Sequence, residues 1–247
     1  MKIHQVKQNA FAMPLTSPSY PKSEFKFINR EFLIITYETD LEILQEIVPE
    51  PLKVTDPIVK FEFIKMPDSS GFGSYTESGQ VIPVELNGQR GGYVHAMYLN
   101  NVAPISAGRE IWGFPKKYAT PSLDVDVDTM VGRIKYNSVE VALGTMGYKF
   151  EEVNQVKLKE ALENDPSYLI KIIPNCNGND LDVCQLVKYY LRDVEIKGAW
   201  SGPADLELFN HALAPVAQLP VKRVISGLHF VSDLTLGFGE VVHDYLK

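Results

Sequence analysis

The chain has 247 residues, of which 45% are hydrophobic and 22% are charged, as is typical of a globular protein with a sizeable core. Its formal net charge of −7 argues against non-specific binding to nucleic acid and against docking on an anionic membrane surface. No apolar run approaches the ~18 residues of a membrane span, and two cysteines do not make a disulfide framework. Residues 1–11 lack the apolar core of a signal peptide, so we expect a cytoplasmic protein.

The first part of the chain predicts an arm, a strand and a helix. Residues 1–22 contain three prolines among Ser and Thr, which indicates an extended arm. Residues 32–37 are β-branched and aromatic, as in a strand. Residues 39–42 match a capping box, and the leucines and isoleucines that follow at helical spacing predict a helix ending before Pro49.

Strand patterns dominate the rest. In residues 58–66, Val59, Phe61 and Phe63 occupy one face and leave Glu62 on the other. Asn87-Gly88 and Gly91-Gly92 are turn signals, and residues 154–162 predict a second, weaker helix. The remaining strand-like segments are residues 81–86, 93–99, 123–127, 133–136, 139–148, 168–173, 186–196 and 221–245.

Many strands, few helices and no alternation of strand and helix predict an α+β fold that is predominantly antiparallel β. We expect a barrel-like or cone-like β core with a few peripheral helices. No linker interrupts the chain, so residues 1–247 are interpreted as a single domain, with residues 1–22 as its N-terminal arm.

Common metal and nucleophile motifs are incomplete. Residues 124–128 begin like a calcium loop, but Thr129 stands where glycine is required and Lys135 where glutamate is required. The five histidines have no zinc spacing, and the pattern Gly-x-Ser-x-Gly is absent. We therefore expect neither a metal nor an organic cofactor.

Residues 107–118 hold two adjacent lysines, Lys116 and Lys117, among aromatic residues, glycine and proline. A lysine in such surroundings either extends its ammonium group to water or is desolvated and loses its proton. A neutral amine can attack a carbonyl group and form a Schiff base. Taken alone, however, a Lys-Lys pair is more often a solvated surface pair.

If residues 114–118 are extended, Lys116 shares a face with Phe114 and Tyr118, while Lys117 points the other way. That geometry favours desolvation over Lys117 as the cause of a lowered pKa. A turn at Pro115 would remove the basis of this inference.

Several segments, in order along almost the whole chain from about Pro14, resemble the acetoacetate decarboxylase family. They are Asn29-Arg30-Glu31, residues 49–52 (Pro-Glu-Pro-Leu), residues 75–80 (Tyr-Thr-Glu-Ser-Gly-Gln), residues 97–99 (Met-Tyr-Leu), Gly108-Arg109-Glu110 with Pro115-Lys116-Lys117, residues 145–149 (Thr-Met-Gly-Tyr-Lys) and residues 244–247 (Asp-Tyr-Leu-Lys).

The resemblance implies that Lys116 is the Schiff-base lysine and that Arg30, Glu62 and Glu77 line the same cavity. We expect Lys117, Phe114 and Met97 in the substrate pocket. Activation of the lysine by a neighbouring cation is an established idea for this family, so desolvation and Lys117 stay open as causes. The family also implies a homo-oligomer, with a dodecamer as one size.

The implied reaction is decarboxylation of acetoacetate, a 3-oxo acid, to acetone and carbon dioxide through an imine and an enamine. The individual roles of Arg30, Glu62 and Glu77 stay open at this point. One alternative is a lysine-dependent aldolase or dehydratase acting on another oxo acid, since an enamine can also attack an aldehyde. A less favoured alternative is a barrel that binds small acids without catalysis.

Overall fold

The computed structural model describes residues 1–247. The helices are α1 (Ile3–Asn9), α2 (Leu41–Ile47), α3 (Val102–Ala107) and α4 (Gln155–Asn164), with a π-helical turn (Gly108–Trp112) and a 3-10 turn (Val216–Gln218). The strands are β1 (Phe25–Glu38), β2 (Lys53–Val54), β3 (Ile58–Met66), β4 (Asp68–Ser69), β5 (Tyr75–Leu86), β6 (Gln89–Leu99), β7 (Lys116–Tyr118), β8 (Thr120–Asp126), β9 (Thr129–Tyr136), β10 (Val139–Gly147), β11 (Glu151–Glu152), β12 (Ser167–Pro174), β13 (Leu181–Tyr189), β14 (Leu191–Gly202), β15 (Ala204–Leu208), β16 (Arg223–Leu236) and β17 (Glu240–Asp244).

Thirteen strands form one large mixed sheet in the order β11-β14-β16-β1-β3-β5-β6-β12-β13-β17, with β2, β4 and β7 paired beside this path. A second sheet has four strands in the order β15-β10-β9-β8. Most neighbours are antiparallel, but β6 pairs in parallel with both β7 and β12. The predicted α+β class with mainly antiparallel strands is confirmed. In place of the expected barrel-like core, the large sheet is open, and its path of paired strands ends at β11 and β17.

The alternating pattern of β3 divides the interior in the predicted way. Val59, Phe61 and Phe63 are fully buried in one apolar cluster, which also contains side chains of the small sheet. The ring of Phe63 lies so close to Gly132 that a Cβ there would come within 2.3 Å of it. Glu62 points to the opposite side of the large sheet, where a second apolar cluster surrounds a cavity.

The helix predictions are confirmed in position but need correction at their ends. α2 begins at Leu41, so its N-cap is Asp40 instead of Thr39, and neither side chain completes the predicted capping box. Asp40 instead forms an ion pair with Lys222. α4 has Asn154 at its N-cap, whose side chain accepts a hydrogen bond from the amide of Lys157.

The N-terminal arm is only partly extended, because residues 3–9 form α1. This segment contains neither glycine nor proline, and the amide of Ala10 donates to the carbonyl of Val6 in a helical bond of 2.9 Å. No residue of α1 is buried. None of the helices has the length and apolarity needed to cross a bilayer.

Two predictions about strand ends were wrong. Gly91-Gly92 is not a turn, because it continues β6 opposite Val84 and Pro83. A Cβ on Gly91 would lie 2.4 Å from the carbonyl oxygen of Pro166, so close packing explains the glycine better than a turn does. The segments 186–196 and 221–245 are each divided into two strands.

Candidate active site

One row of cross-strand neighbours brings three of the predicted site residues onto the same face of the large sheet. Glu62 on β3 lies opposite Gly79 on β5, and Gly79 lies opposite Met97 on β6. Met97 is in turn paired with Lys116, the first residue of β7. Since paired residues project to the same side of a sheet, Glu62, Met97 and Lys116 face one space.

Glu77 and Arg30 extend this face along the strands. Glu77 lies opposite Ile64, two residues beyond Glu62 on the same side of β3. Arg30 follows an irregularity in the pairing of β1 with β16, where Asn29 adopts a left-handed conformation (φ 55°) that asparagine tolerates well. Asn29 is held there because its amide donates to Asp233 Oδ1 at 2.7 Å.

These side chains line a cavity of about 280 Å³ between the large sheet and α4. The lining contains Arg30, Glu62, Glu77, Lys116, Phe114 and Met97, which the family resemblance had led us to expect at one site. It also adds residues that sequence reasoning missed, among them the buried aromatic residues Phe27, Phe32, Tyr75, Tyr189 and Phe230. The only available signal for these aromatics was their placement in strands, which does not distinguish a cavity wall from the core.

Lys116 is almost fully buried, with 6% of its surface exposed. Its Nζ lies 3.0 Å from Glu77 Oε2 and 4.8 Å from the centre of the Phe114 ring. Burial lowers the pKa of Lys116, and the charge of Arg30 lowers it further, whereas Glu77 acts in the opposite direction. The direction of the shift increases the share of neutral amine at a given pH.

Arg30 and Glu62 complete the charged group. Arg30 Nη2 lies 3.7 Å from Glu77 Oε1, and its guanidinium group lies over the rings of Phe27 and Phe32 at 4.9 Å and 4.7 Å. Burial raises the pKa of Glu62 to about 7, although Arg30 and Lys60 oppose that shift. Near neutral pH this carboxyl group can therefore both donate and accept a proton.

Lys117 does not line the cavity, which corrects its prediction as a pocket residue. It is exposed, and its Nζ donates to the carbonyl oxygen of Leu213 at 2.9 Å. The amide of Lys116 donates to the carbonyl of Phe114 at 2.7 Å, so the chain turns at Pro115 instead of running straight. Phe114 still contacts Lys116, but Tyr118 is 59% exposed and takes no part in desolvation.

The turn that precedes the lysines shapes the space around Lys116. Gly108, which follows α3, packs directly on the lysine side chain, and a Cβ there would lie 2.7 Å from its Cδ and 3.2 Å from its Nζ. The Gly108 carbonyl accepts from the amides of Gly113 and Phe114 at 2.9 Å and 3.0 Å, which closes the π-helical turn. Arg109 Nη1 donates to the Lys116 carbonyl at 3.3 Å.

Three separate parts of the chain hold this turn. The hydroxyl of Tyr20, in the N-terminal arm, donates a short hydrogen bond to Glu110. Lys171 Nζ, on β12, donates to the carbonyl of Ile111 at 3.1 Å. The indole of Trp112 donates to the carbonyl of Gly237 at 2.9 Å. The position of Lys116 therefore depends on elements that are distant in sequence.

A buried amine with a lowered pKa, in a cavity that it shares with two carboxyl groups and an arginine, defines an enzyme site suited to imine formation with a small carbonyl acid. Comparison with known proteins identifies the family. A family model described as acetoacetate decarboxylase matches residues 12–246. The chain therefore belongs to the acetoacetate decarboxylase family and is a carboxy-lyase.

Individual relatives agree with this assignment. Acetoacetate decarboxylases of Burkholderia multivorans and Bordetella avium are each 59% identical over 246 residues, covering 100% of this chain and 99% of the relative. A solved acetoacetate decarboxylase from Legionella pneumophila matches with a TM-score of 0.92 and 51% identity. That match covers 98% of this chain and 97% of the other. The similarity therefore extends over the whole fold described above.

Proposed function

We propose that this chain decarboxylates acetoacetate to acetone and carbon dioxide through an imine on Lys116. The observation that carries the proposal is the buried Lys116 amine with its lowered pKa, 3.0 Å from Glu77. Family membership supports the substrate, since the close relatives are acetoacetate decarboxylases.

The first step is attack of neutral Lys116 Nζ on the ketone carbon, followed by loss of water to give a protonated imine. The bond between the carboxylate carbon and C2 then breaks, and its electron pair moves into the imine to form an enamine as carbon dioxide leaves. The enamine carbon takes a proton, and water hydrolyses the resulting imine to acetone and the free amine. The imine itself accepts the electrons, so this sequence of steps requires no metal or organic cofactor.

We assign Arg30 to positioning. Its guanidinium group already pairs with Glu77 at 3.7 Å and helps to lower the pKa of Lys116. A tight pair between Arg30 and the substrate carboxylate would stabilise the ground state and slow the loss of carbon dioxide. The more favourable role for Arg30 is therefore to hold Glu77 in place.

Glu77 and Glu62 have separate roles in this proposal. Glu77, next to Lys116, stabilises the positive charge of the imine nitrogen by its own negative charge. Glu62, whose pKa is about 7, provides the proton for the enamine carbon, because a group with a pKa near the working pH is an effective acid. Phe114 and Met97 form apolar surface that keeps water away from the amine.

The function is tested by measuring carbon dioxide and acetone release from acetoacetate by the purified chain. Lys116→Met should abolish release, whereas the matched variant Lys117→Met should retain it. Circular dichroism would establish that both variants are folded. Unchanged release by a folded Lys116→Met variant would contradict the proposal, as would a wild-type chain that releases no carbon dioxide.

We further propose that the protein is a cytoplasmic homo-oligomer that acts on a small molecule and binds neither nucleic acid nor membrane. Large apolar side chains on the surface support self-association, including Phe150 at 68% exposure and Leu213 at 59%. The exposed free thiol of Cys176 suits a reducing compartment. Light scattering should give a multiple of the 27.7 kDa chain mass, up to a dodecamer. A monomer at all concentrations would contradict self-association.

A further inference from the structure

The cavity that contains Lys116 is longer than acetoacetate requires. On β1 it is lined by both Arg30 and Thr36, a separation of about 20 Å at roughly 3.3 Å per residue. The carbon chain of acetoacetate spans only about 5 Å, with bonds of about 1.5 Å. The volume of about 280 Å³ approaches the ~300 Å³ at which pockets begin to hold drug-sized ligands.

The two ends of the cavity differ. The end near Arg30 is closed by the rings of Phe27, Phe32 and Phe230, which are 2%, 5% and 0% exposed. The opposite end is lined by Lys60 and Ser226, which are both exposed. A substituent on a substrate held at Lys116 therefore has room in one direction only, away from Arg30 and towards Lys60.

The wall along this direction is mainly apolar. The sheet contributes Ile34, Leu228 and Val81, and the inner side of α4 contributes Leu158 and Leu162. The row that contains Ile34 and Leu228 is the same cross-strand row that contains Glu62. Val81 lies opposite Lys60 in the next row. The apolar wall thus begins beside the reacting amine.

The charged groups at this end of the cavity have both signs. The cavity is lined there by Lys60 and Asp165, neither of which forms an ion pair within 4.0 Å. Glu62, two residues further along β3 on the same face as Lys60, adds a second carboxyl group. A carboxylate at the end of a tail would therefore meet Asp165 as well as Lys60, and it gains little there.

We propose that this outer part of the cavity is a subsite for the alkyl tail of 3-oxo acids longer than acetoacetate, with the tail on carbon 4. The inference rests on the proposed function, because the same amine performs the same bond changes on the longer acid. The products are carbon dioxide and a longer methyl ketone formed from carbons 2 onward. Each methylene that enters the subsite leaves water for apolar surface, which strengthens binding by about fourfold.

The first test compares kcat/KM for 3-oxobutanoate, 3-oxohexanoate and 3-oxooctanoate on the wild-type chain. We expect kcat/KM to rise with tail length, by up to about fourfold per methylene, and to be lower for 3-oxohexanedioate than for 3-oxohexanoate. A fall in kcat/KM at 3-oxohexanoate would overturn the subsite. A preference for the diacid would overturn its apolar character.

The second test narrows the subsite from α4. Leu162→Trp should lower the ratio of kcat/KM for 3-oxooctanoate over 3-oxobutanoate at least tenfold. The matched variant Glu160→Trp, on an exposed position outside the cavity, should leave that ratio unchanged. If Leu162→Trp does not fold, Val81→Phe narrows the same subsite from β5 and should lower the same ratio of kcat/KM values. An unchanged ratio in a folded narrowing variant would overturn the assignment.

The outcomes also separate this inference from the proposed function. Turnover of 3-oxobutanoate without any gain from longer tails would remove the subsite and leave the decarboxylase proposal intact. Absence of turnover on every acid would remove the decarboxylase proposal itself, and the subsite with it.

Discussion

Gly108→Ala provides a sharp test of how the π-helical turn positions the amine. The backbone at Gly108 is right-handed helical (φ −60°, ψ −45°), so alanine fits the backbone conformation. Its Cβ, however, would lie 2.7 Å, 2.9 Å and 3.2 Å from Cδ, Cε and Nζ of Lys116. Contacts of this kind are relieved only if the end of the lysine side chain moves. Because a displacement of about 1 Å in a reacting group can cost about 100-fold in rate, we expect a loss of 10- to 100-fold in kcat.

Stability should change much less than activity in this variant. The flexible end of the lysine side chain can move. Alanine in a helical conformation also adds roughly 0.4–1 kcal/mol of stability, because it restricts the unfolded chain more than glycine does. Urea unfolding and the kcat for carbon dioxide release together measure both effects. Gly147→Ala is the matched control, since its Cβ would meet mainly the exposed ring of Phe150, at 3.1 Å. Full kcat in a folded Gly108→Ala variant would refute the positioning of Lys116 by this turn.

Three further predictions concern the charges of the site. Lys117→Met should leave the pKa of Lys116 unchanged, because the Lys117 ammonium group lies outside the cavity; a rise towards the ordinary lysine value in an acylation-rate titration would contradict this. Arg30→Met should raise the pKa of Lys116 and move the low-pH limb of kcat/KM to higher pH; a limb that stays in place would exclude Arg30 as a cause. Glu62→Gln should remove the decline in kcat/KM as pH rises through about 7, and a retained decline would assign that limb to another group. Folding raises the pKa of Glu62 from 4.5 to about 7, so between these pH values the folded chain binds more protons than the unfolded chain. As pH rises through that interval, the wild type should therefore lose stability relative to Glu62→Gln, which urea unfolding would show.

The elements that sequence reasoning predicted well are those whose own side chains decide their structure. The strict alternation in β3 determines which face joins the core and leaves Glu62 on the other. Similarly, Asn154 and the apolar residues that follow it determine where α4 begins. Both depend on contacts within a few residues.

The site itself required information that the local pattern lacks. Arg30, Glu62, Glu77 and Lys116 lie on four strands, and their convergence depends on strand register and on the irregularity before Arg30. Only the family resemblance joined them in the sequence. Lys117 does lie on the other side from Lys116, outside the cavity, although the turn at Pro115 replaces the extended geometry from which this was predicted.

The turn that positions Lys116 was missed altogether. Residues 102–112 contain Pro104 and Gly108, which weaken a helical prediction, and a π-helical turn departs from the usual helical period. Its supports come from Tyr20, Lys171 and Gly237, far away along the chain. No spacing within the segment could have indicated them.

The imine on Lys116 can be trapped directly. Borohydride added during turnover of acetoacetate should reduce that imine, inactivate the protein and leave an isopropyl group on one peptide. Fragmentation by mass spectrometry should place the group on the Nζ of Lys116, with none on Lys117. Continued carbon dioxide release without an adduct, or an adduct confined to another lysine, would contradict an imine on Lys116.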